Sequence, residues 1–175
     1  MKILIAIESE TCAKTIARFM AEHYWGANTH FNVLKVLPPL RATAPYNLLP
    51  SPVLDDLEQE TRAIAESFVK RVAGAILDEL HTEHVDWQLR DGFVAETILA
   101  AATEMQADLI VLGCGHRSHK SVFGLYGSVL GDVAAQAQCP VLVIRPPVEE
   151  SCAKPCAPES DKATIGAPEK TAAPT

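Results

Sequence analysis

Short segments rich in apolar residues alternate with longer amphipathic segments along most of the chain. Near-continuous apolar runs of this length are typical of strands that a parallel sheet buries on both faces. They predict five strands, at residues 2–7, 31–37, 85–90, 109–112 and 141–144. Because parallel neighbours need a long crossover connection between them, this alternation leaves few folds open.

Between the strands, apolar residues recur at the three- and four-residue spacing that places them on one face of a helix. Four helices are predicted: one capped by Ser9 or Thr11, one over 53–80, one from Val94 to Met105 and one over 128–137. This order predicts an α/β fold, a doubly wound five-stranded parallel sheet with helices on both faces. Ligands of such folds bind at the carboxyl ends of the strands, where the strand order reverses.

Charge and composition argue against two classes of partner, nucleic acids and membranes. The 175 residues carry a formal net charge of -7, which argues against binding to nucleic acid, because such binding needs a basic surface. No apolar run reaches the roughly 18–20 residues that span a bilayer, so we expect no membrane association. The five cysteines form neither a disulfide framework nor a zinc pattern, which is typical of a reducing compartment. We therefore expect a cytoplasmic protein.

The last part of the chain, residues 148–175, is dominated by Pro, Ala, Glu, Lys, Ser and Thr and has almost no large apolar side chains. Such a segment cannot bury enough surface to offset the entropy that ordering removes. It predicts a disordered tail after a single domain of residues 1–147. The tail can still recruit a protein partner, whose identity the sequence leaves open, and Cys152 and Cys156 are the first residues to test for that contact.

The segment between the fourth strand and the fourth helix combines glycines with basic residues. Glycines allow a ligand to approach the backbone closely, and a capping serine leaves the first amides of a helix free to meet an anion. These properties predict a phosphate-binding loop made by Gly113, Gly115, His116, Arg117, Gly127 and Ser128. Two simpler interpretations stay open: the glycines serve turns with positive φ, and the basic residues form a solvated patch.

No catalytic motif accompanies this loop. The sequence contains no Walker A Gly-Lys-[Ser/Thr], no clear pair of magnesium-binding acids and no legible Ser-His-Asp arrangement. We therefore expect a protein that holds a phosphorylated ligand without cleaving it, and not an enzyme, although a weak ATPase activity stays open.

Four segments of the chain match the patterns of one known family: ILIAIESE, RDGFVAETIL, ADLIVLGCG and GSVLGDVAAQAQCPVLVIRP. In this order and spacing they resemble the universal stress protein family over residues 1–146. The resemblance implies a strand order of 3-2-1-4-5, which places the last strand at the edge of the sheet. Because an apolar edge strand can pair with its twofold mate, we expect a homodimer formed through the last strand. It also implies a sensor or regulator that binds ATP or a related adenine nucleotide, with or without magnesium.

The nucleotide-binding branch of that family carries the motif G-x2-G-x9-G-[S/T] after its fourth strand. Gly113 matches the first glycine, and Gly127 and Ser128 match the last two positions. His116 stands where the second glycine is expected, and the interval to Gly127 is one residue longer than in the motif. An alternative therefore stays open, in which the protein is a dimerisation and interaction module with a degenerate phosphate loop.

The resemblance assigns three more residues to the nucleotide site. It implies that Ala6 lies alongside the base, and Glu8 corresponds to the usually aspartic residue that ends the first strand beside the nucleotide. Val36 corresponds to a valine of the second strand whose backbone meets the adenine edge.

Overall fold

The computed structural model describes residues 1–40, 50–80, 84–113 and 129–145. Strands and helices alternate along these ranges as the sequence predicts. In chain order the elements are β1 (Lys2–Ala6), α1 (Glu10–Ala21), β2 (His30–Leu37), α2 (Ser51–Leu80), β3 (Val85–Asp91), α3 (Val94–Met105), β4 (Leu109–Gly113), α4 (Val129–Gln136) and β5 (Val141–Ile144).

The five strands form one parallel sheet in the order β3-β2-β1-β4-β5. The predicted fold class and strand order are therefore confirmed. β1 lies at the centre and pairs with β2 on one side and with β4 on the other. The order of the strands reverses between β1 and β4, so this is the switch point at which doubly wound folds bind their ligands.

Several element bounds differ from the prediction by one or two residues: β1 ends at Ala6, β2 begins at His30, β4 ends at Gly113, and α2 and β3 are longer. α2 begins at Ser51, two residues before the predicted start, because Pro52 falls in the first turn, where a missing N–H group removes no helical hydrogen bond. β3 continues to Asp91 because that residue still pairs with Leu37 of β2. None of these differences changes the order of the strands.

The sheet has an apolar core on each face, because successive residues of a strand point to opposite faces. α1 and α2 cover one face, and α3 and α4 cover the other. Each large core side chain that is fully buried contributes roughly 1.5–3 kcal/mol to folding. On the α1–α2 face the core includes Ile3, Ile5, Ile16, Val33, Val69 and Ile76, and on the α3–α4 face it includes Leu4, Leu34, Ile98, Ile110 and Val133.

α1 starts immediately after the central strand. Of the two predicted caps, Ser9 is the N-cap, and its hydroxyl accepts a hydrogen bond from the Cys12 amide at 3.4 Å. Glu10 in the first turn adds a negative charge near the positive end of the helix dipole. The turn from β1 into α1 is thereby fixed at the carboxyl edge of the sheet.

Across the described ranges, even α2 with its 30 residues lacks an apolar stretch long enough to cross a membrane.

Candidate functional site

The carboxyl end of β1 lies at the switch point. Ala6 is the last residue of β1 and sits between Leu34 of β2 and Leu112 of β4. Its side chain is buried, whereas Glu8, two residues further on, is exposed. Two residues predicted for the site are therefore located where the strand order reverses.

β2 extends beyond the end of its central neighbour. The last described backbone bond between the two chain segments runs from the Ile7 amide to the Leu34 carbonyl at 3.0 Å. β2 then continues to Leu37, paired only with β3. Its final residues therefore have one side that no strand covers.

Val36 directs its backbone to that uncovered side. Odd-numbered residues of β2 bond to β3, as shown by the bond from the Phe31 amide to His84 (2.8 Å) and that from the Gly92 amide to Leu37 (3.0 Å). Val36 therefore points its N–H and C=O towards the space beyond the end of β1. The residue is only 7% exposed, and buried backbone groups without a strand partner are uncommon, which makes Val36 a candidate contact for a ligand.

Ala6 and Val36 share one face of the sheet. Both belong to the core cluster under α3 and α4. The structure thus brings together two of the residues that the resemblance assigns to the base.

Gly113 faces the other way, towards α1. A Cβ atom added to Gly113 would lie 2.7 Å from the Cys12 Cβ and 3.2 Å from the Ile16 Cδ1. Real Cβ atoms do not approach other carbons so closely, so β4 and α1 can pack at this distance only around a glycine. The φ angle of Gly113 is not positive, so close packing and not turn geometry explains this glycine.

The other predicted members of the phosphate loop, Gly115, His116, Arg117, Gly127 and Ser128, lie outside the described residues. The described flanks of the loop are the end of β4 at Gly113 and the start of α4 at Val129.

A second concave region, which sequence reasoning missed, lies on the α2 side of the same edge. We call it the α2 groove, a cleft of about 820 Å³ between the end of β2, the β1–α1 turn and the middle of α2. Its lining includes Glu8, Lys35, Leu37, Ile64, Phe68 and Arg71.

Lys35 is the central polar residue of the α2 groove. It follows Phe31 and Val33 on the face of β2 that packs against α1 and α2, and it is half-buried. Its Nζ donates a hydrogen bond to the Glu8 carbonyl at 2.6 Å. Burial lowers the pKa of the Lys35 ammonium below its ordinary value, and the nearby Glu8 carboxylate opposes that shift. A charged residue on an otherwise apolar strand face is the one signal in the sequence that could have indicated this groove.

Two cations flank the aromatic ring of the groove. The Lys35 Nζ and the Arg71 guanidinium carbon each lie 5.8 Å from the centroid of the Phe68 ring. Both distances fall within the range of cation–π attraction. The same groove therefore offers positive charge and an aromatic surface side by side.

These features define a class of protein: a doubly wound α/β domain with unpaired backbone groups at its switch point. The sequence model of the universal stress protein family matches residues 1–145. The chain belongs to the universal stress protein family. Comparison with curated proteins gives no match.

Solved structures of this family share the fold. Universal stress protein UspA from Lactobacillus plantarum superposes with a TM-score of 0.62 at 21% identity, over 83% of this chain and 97% of that one. An Archaeoglobus fulgidus protein in complex with dAMP gives 0.53 at 22% identity, over 82% and 97%. An Arabidopsis thaliana protein with AMP bound gives 0.53 at 18% identity, over 89% and 98%.

Proposed function

We propose that this protein binds ATP or a related adenine nucleotide at the carboxyl edge of the sheet, between β1 and β4, and acts as a sensor or regulator and not as an enzyme. The observation that carries the proposal is the backbone of Val36, which directs one donor and one acceptor to a buried position without a strand partner. Membership in a family whose solved members include complexes with dAMP and AMP supports an adenine base as the group that pairs there.

The chemistry of the base fits this backbone pair. One edge of adenine presents a ring-nitrogen acceptor beside an amino donor, which complement the N–H and C=O of a single residue. Ala6 lies on the same face of the sheet as Val36 and offers an apolar surface to the ring. The exposed Glu8 carboxylate, which accepts no hydrogen bond from another described residue, is available to the ribose hydroxyls.

In this proposal, the loop between β4 and α4 binds the phosphates of the nucleotide. Gly115, His116, Arg117, Gly127 and Ser128 keep this role as predictions, since they lie outside the described residues. Within the described ranges, no group of three or more His, Cys, Asp or Glu side chains could hold a metal ion, and whether magnesium accompanies the nucleotide stays a prediction.

Gly113 favours a second candidate function. Its close contact with Cys12 accounts for the first glycine of the motif without any ligand. A dimerisation and interaction module with a degenerate phosphate loop would keep this glycine for packing alone. Nucleotide titration separates the two functions, because only the first one requires binding.

The test is isothermal titration of the purified protein with ATP and AMP, with GTP as the control nucleotide. We expect ATP and AMP to bind, and we expect Glu8→Ala to weaken that binding about tenfold, which corresponds to about 1.4 kcal/mol. Glu22→Ala is the matched control, since Glu22 is an exposed acid beyond the opposite end of α1. Absence of heat with all three nucleotides would favour the interaction module.

We also propose a homodimer through β5. β5 is an edge strand of four apolar residues, and Val143 is 37% exposed, whereas an uncovered apolar edge invites pairing with another strand. Val143→Glu should shift the protein towards monomer in sedimentation measurements, whereas Leu77→Glu, at a residue of α2 that is 40% exposed, should not. A native protein that sediments as a monomer at micromolar concentration would contradict this interface.

Two further expectations stay predictions: the cytoplasmic location, and the disordered tail of residues 148–175 with its protein partner. The tail lies outside the described residues.

A further inference from the structure

We propose that the α2 groove is a second binding site, distinct from the switch point, that takes a small organic carboxylate with an aromatic or branched apolar body. This inference goes beyond the proposed nucleotide function, and neither depends on the other.

The groove contains positive charge whose hydrogen-bonding capacity is only partly used. An ammonium group has three donors, and Lys35 makes one described hydrogen bond, to the Glu8 carbonyl. The Arg71 guanidinium forms an ion pair with the Glu10 carboxylate at 3.9 Å, a distance too long for a hydrogen bond. Both cations can therefore donate to an incoming anion without breaking a described hydrogen bond.

The remaining wall is apolar and open. Ile64 lines the groove with 63% of its surface exposed, next to the Phe68 ring, and Leu37, Pro38 and Leu40 form the opposite side. A volume of about 820 Å³ lies within the range of roughly 300–1,000 Å³ that small-molecule pockets occupy. An apolar body would cover Ile64 and Phe68 while its charged end meets Lys35.

The rim of the groove selects for a singly charged ligand. Glu8 and Glu10 both line the groove and are exposed, so a ligand with several negative charges would be repelled by them. One carboxylate that meets the half-buried Lys35 ammonium would be repelled least by the two acids at the mouth. This argues for a carboxylate and against a polyphosphate.

The groove also lies on the other side of β2 from the base position. The Lys35 side chain is on the α1–α2 face, whereas the Val36 side chain belongs to the core under α3 and α4. Glu8 and Val36 border both sites, but Lys35 and Phe68, which would hold the carboxylate, lie together on the α1–α2 face. We therefore expect both ligands to bind at once.

The probe for this site is 3-phenylpropionate, and the matched control ligand is 3-phenylpropionamide, which has the same shape without the charge. In a titration followed by amide NMR of the full chain, the carboxylate should bind with a Kd near or below about 1 mM and shift the resonances of Ile64 and Phe68. The amide should bind at least tenfold more weakly. Equal affinity for the two compounds, or shifts that map outside the groove, would overturn the proposal.

Two variants test the residues. Lys35→Met should weaken the binding of 3-phenylpropionate at least fivefold. Ile64→Glu places a negative charge at an exposed position of the groove and should weaken it similarly, without risk to the fold. Val53→Glu is the matched control, since Val53 is an exposed residue of the same helix that does not line the groove. If Ile64→Glu binds the probe as tightly as Val53→Glu, the site is not the α2 groove.

The nucleotide proposal is tested in the same samples. Saturating ATP should change the affinity for 3-phenylpropionate by less than about threefold, and complete displacement would show that the groove is part of the nucleotide site. Binding of the carboxylate by a protein that binds no ATP would contradict the proposed function and leave this inference standing. Binding of ATP by a protein that does not bind the carboxylate would contradict this inference and leave the proposed function standing.

Discussion

The two halves of the carboxyl edge differ in the kind of group that lines them. At the switch point the groups that define the site are backbone atoms and small residues: Ala6, Gly113 and the free peptide groups of Val36. In the α2 groove they are long side chains, above all Lys35 and Phe68. The switch point therefore follows from the order of the strands. The groove, in contrast, depends on which side chains this sequence has at a few positions.

This difference determines how each half should respond to substitution. A change at the switch point alters how strands and helices fit together, so it should act first on stability. A change in the groove alters exposed or half-buried side chains, so it should act on ligand binding with little effect on stability.

The largest expected effect is at Gly113. Gly113→Ala places a Cβ 2.7 Å from the Cys12 Cβ, which no rotamer change can relieve, and should lower the free energy of unfolding by about 2–3 kcal/mol in urea denaturation. Gly74→Ala is the control, because nothing lies within 4 Å of the added atom in the middle of α2. It should stabilise the protein by about 0.5–1 kcal/mol.

A second substitution identifies the cause. The Cys12→Gly variant lacks the clashing Cβ atom. In that variant, Gly113→Ala should lower the free energy of unfolding by less than about 1 kcal/mol. If the penalty stays the same in that background, the glycine is required for a reason other than its contact with α1.

A smaller effect is expected at the turn that leads from β1 into α1. Ser9→Ala removes the hydroxyl that caps α1 and should lower the free energy of unfolding by about 1 kcal/mol, whereas Ser9→Gly should lower it by only a few tenths. Equal losses for the two variants would show that the hydroxyl does not stabilise the helix.

The smallest effect on stability is expected in the α2 groove. Burial lowers the pKa of Lys35 in the folded protein, so between that pKa and its ordinary value of 10.5 the unfolded chain holds more protons than the folded chain. The wild-type protein should therefore gain stability relative to Lys35→Met as pH rises towards 10.5. The gain should stay below about 1 kcal/mol, because solvent screens a half-buried charge. A wild-type protein that loses stability relative to the variant over this range would contradict the account of Lys35.

The sequence predicted the elements well because strands and helices depend on local periodicity. The apolar run of β1 and the stripe on α1 are visible in a few neighbouring residues. The order of the strands came from the resemblance to the family, since periodicity says nothing about which strands are neighbours.

The site could be predicted only in part, because its features depend on residues that are distant in the chain. The fit of Gly113 against Cys12 joins positions about a hundred residues apart. The α2 groove likewise needs β2 and α2 to meet, which places Lys35 beside Phe68. Local patterns contain a hint of Lys35, a charge on an apolar strand face, but not its partners.

The central claim is that a nucleotide base pairs with the backbone of Val36, and the Val36 amide tests it most directly. In amide hydrogen exchange of the free protein, we expect Val36 to exchange much faster than Leu34, whose strand partner is β1. Saturating AMP should protect the Val36 amide at least tenfold and leave Leu34 unchanged. If Val36 is already protected in the free protein, or if AMP binds without protecting it, the base does not pair with this residue and the account of the switch point is wrong.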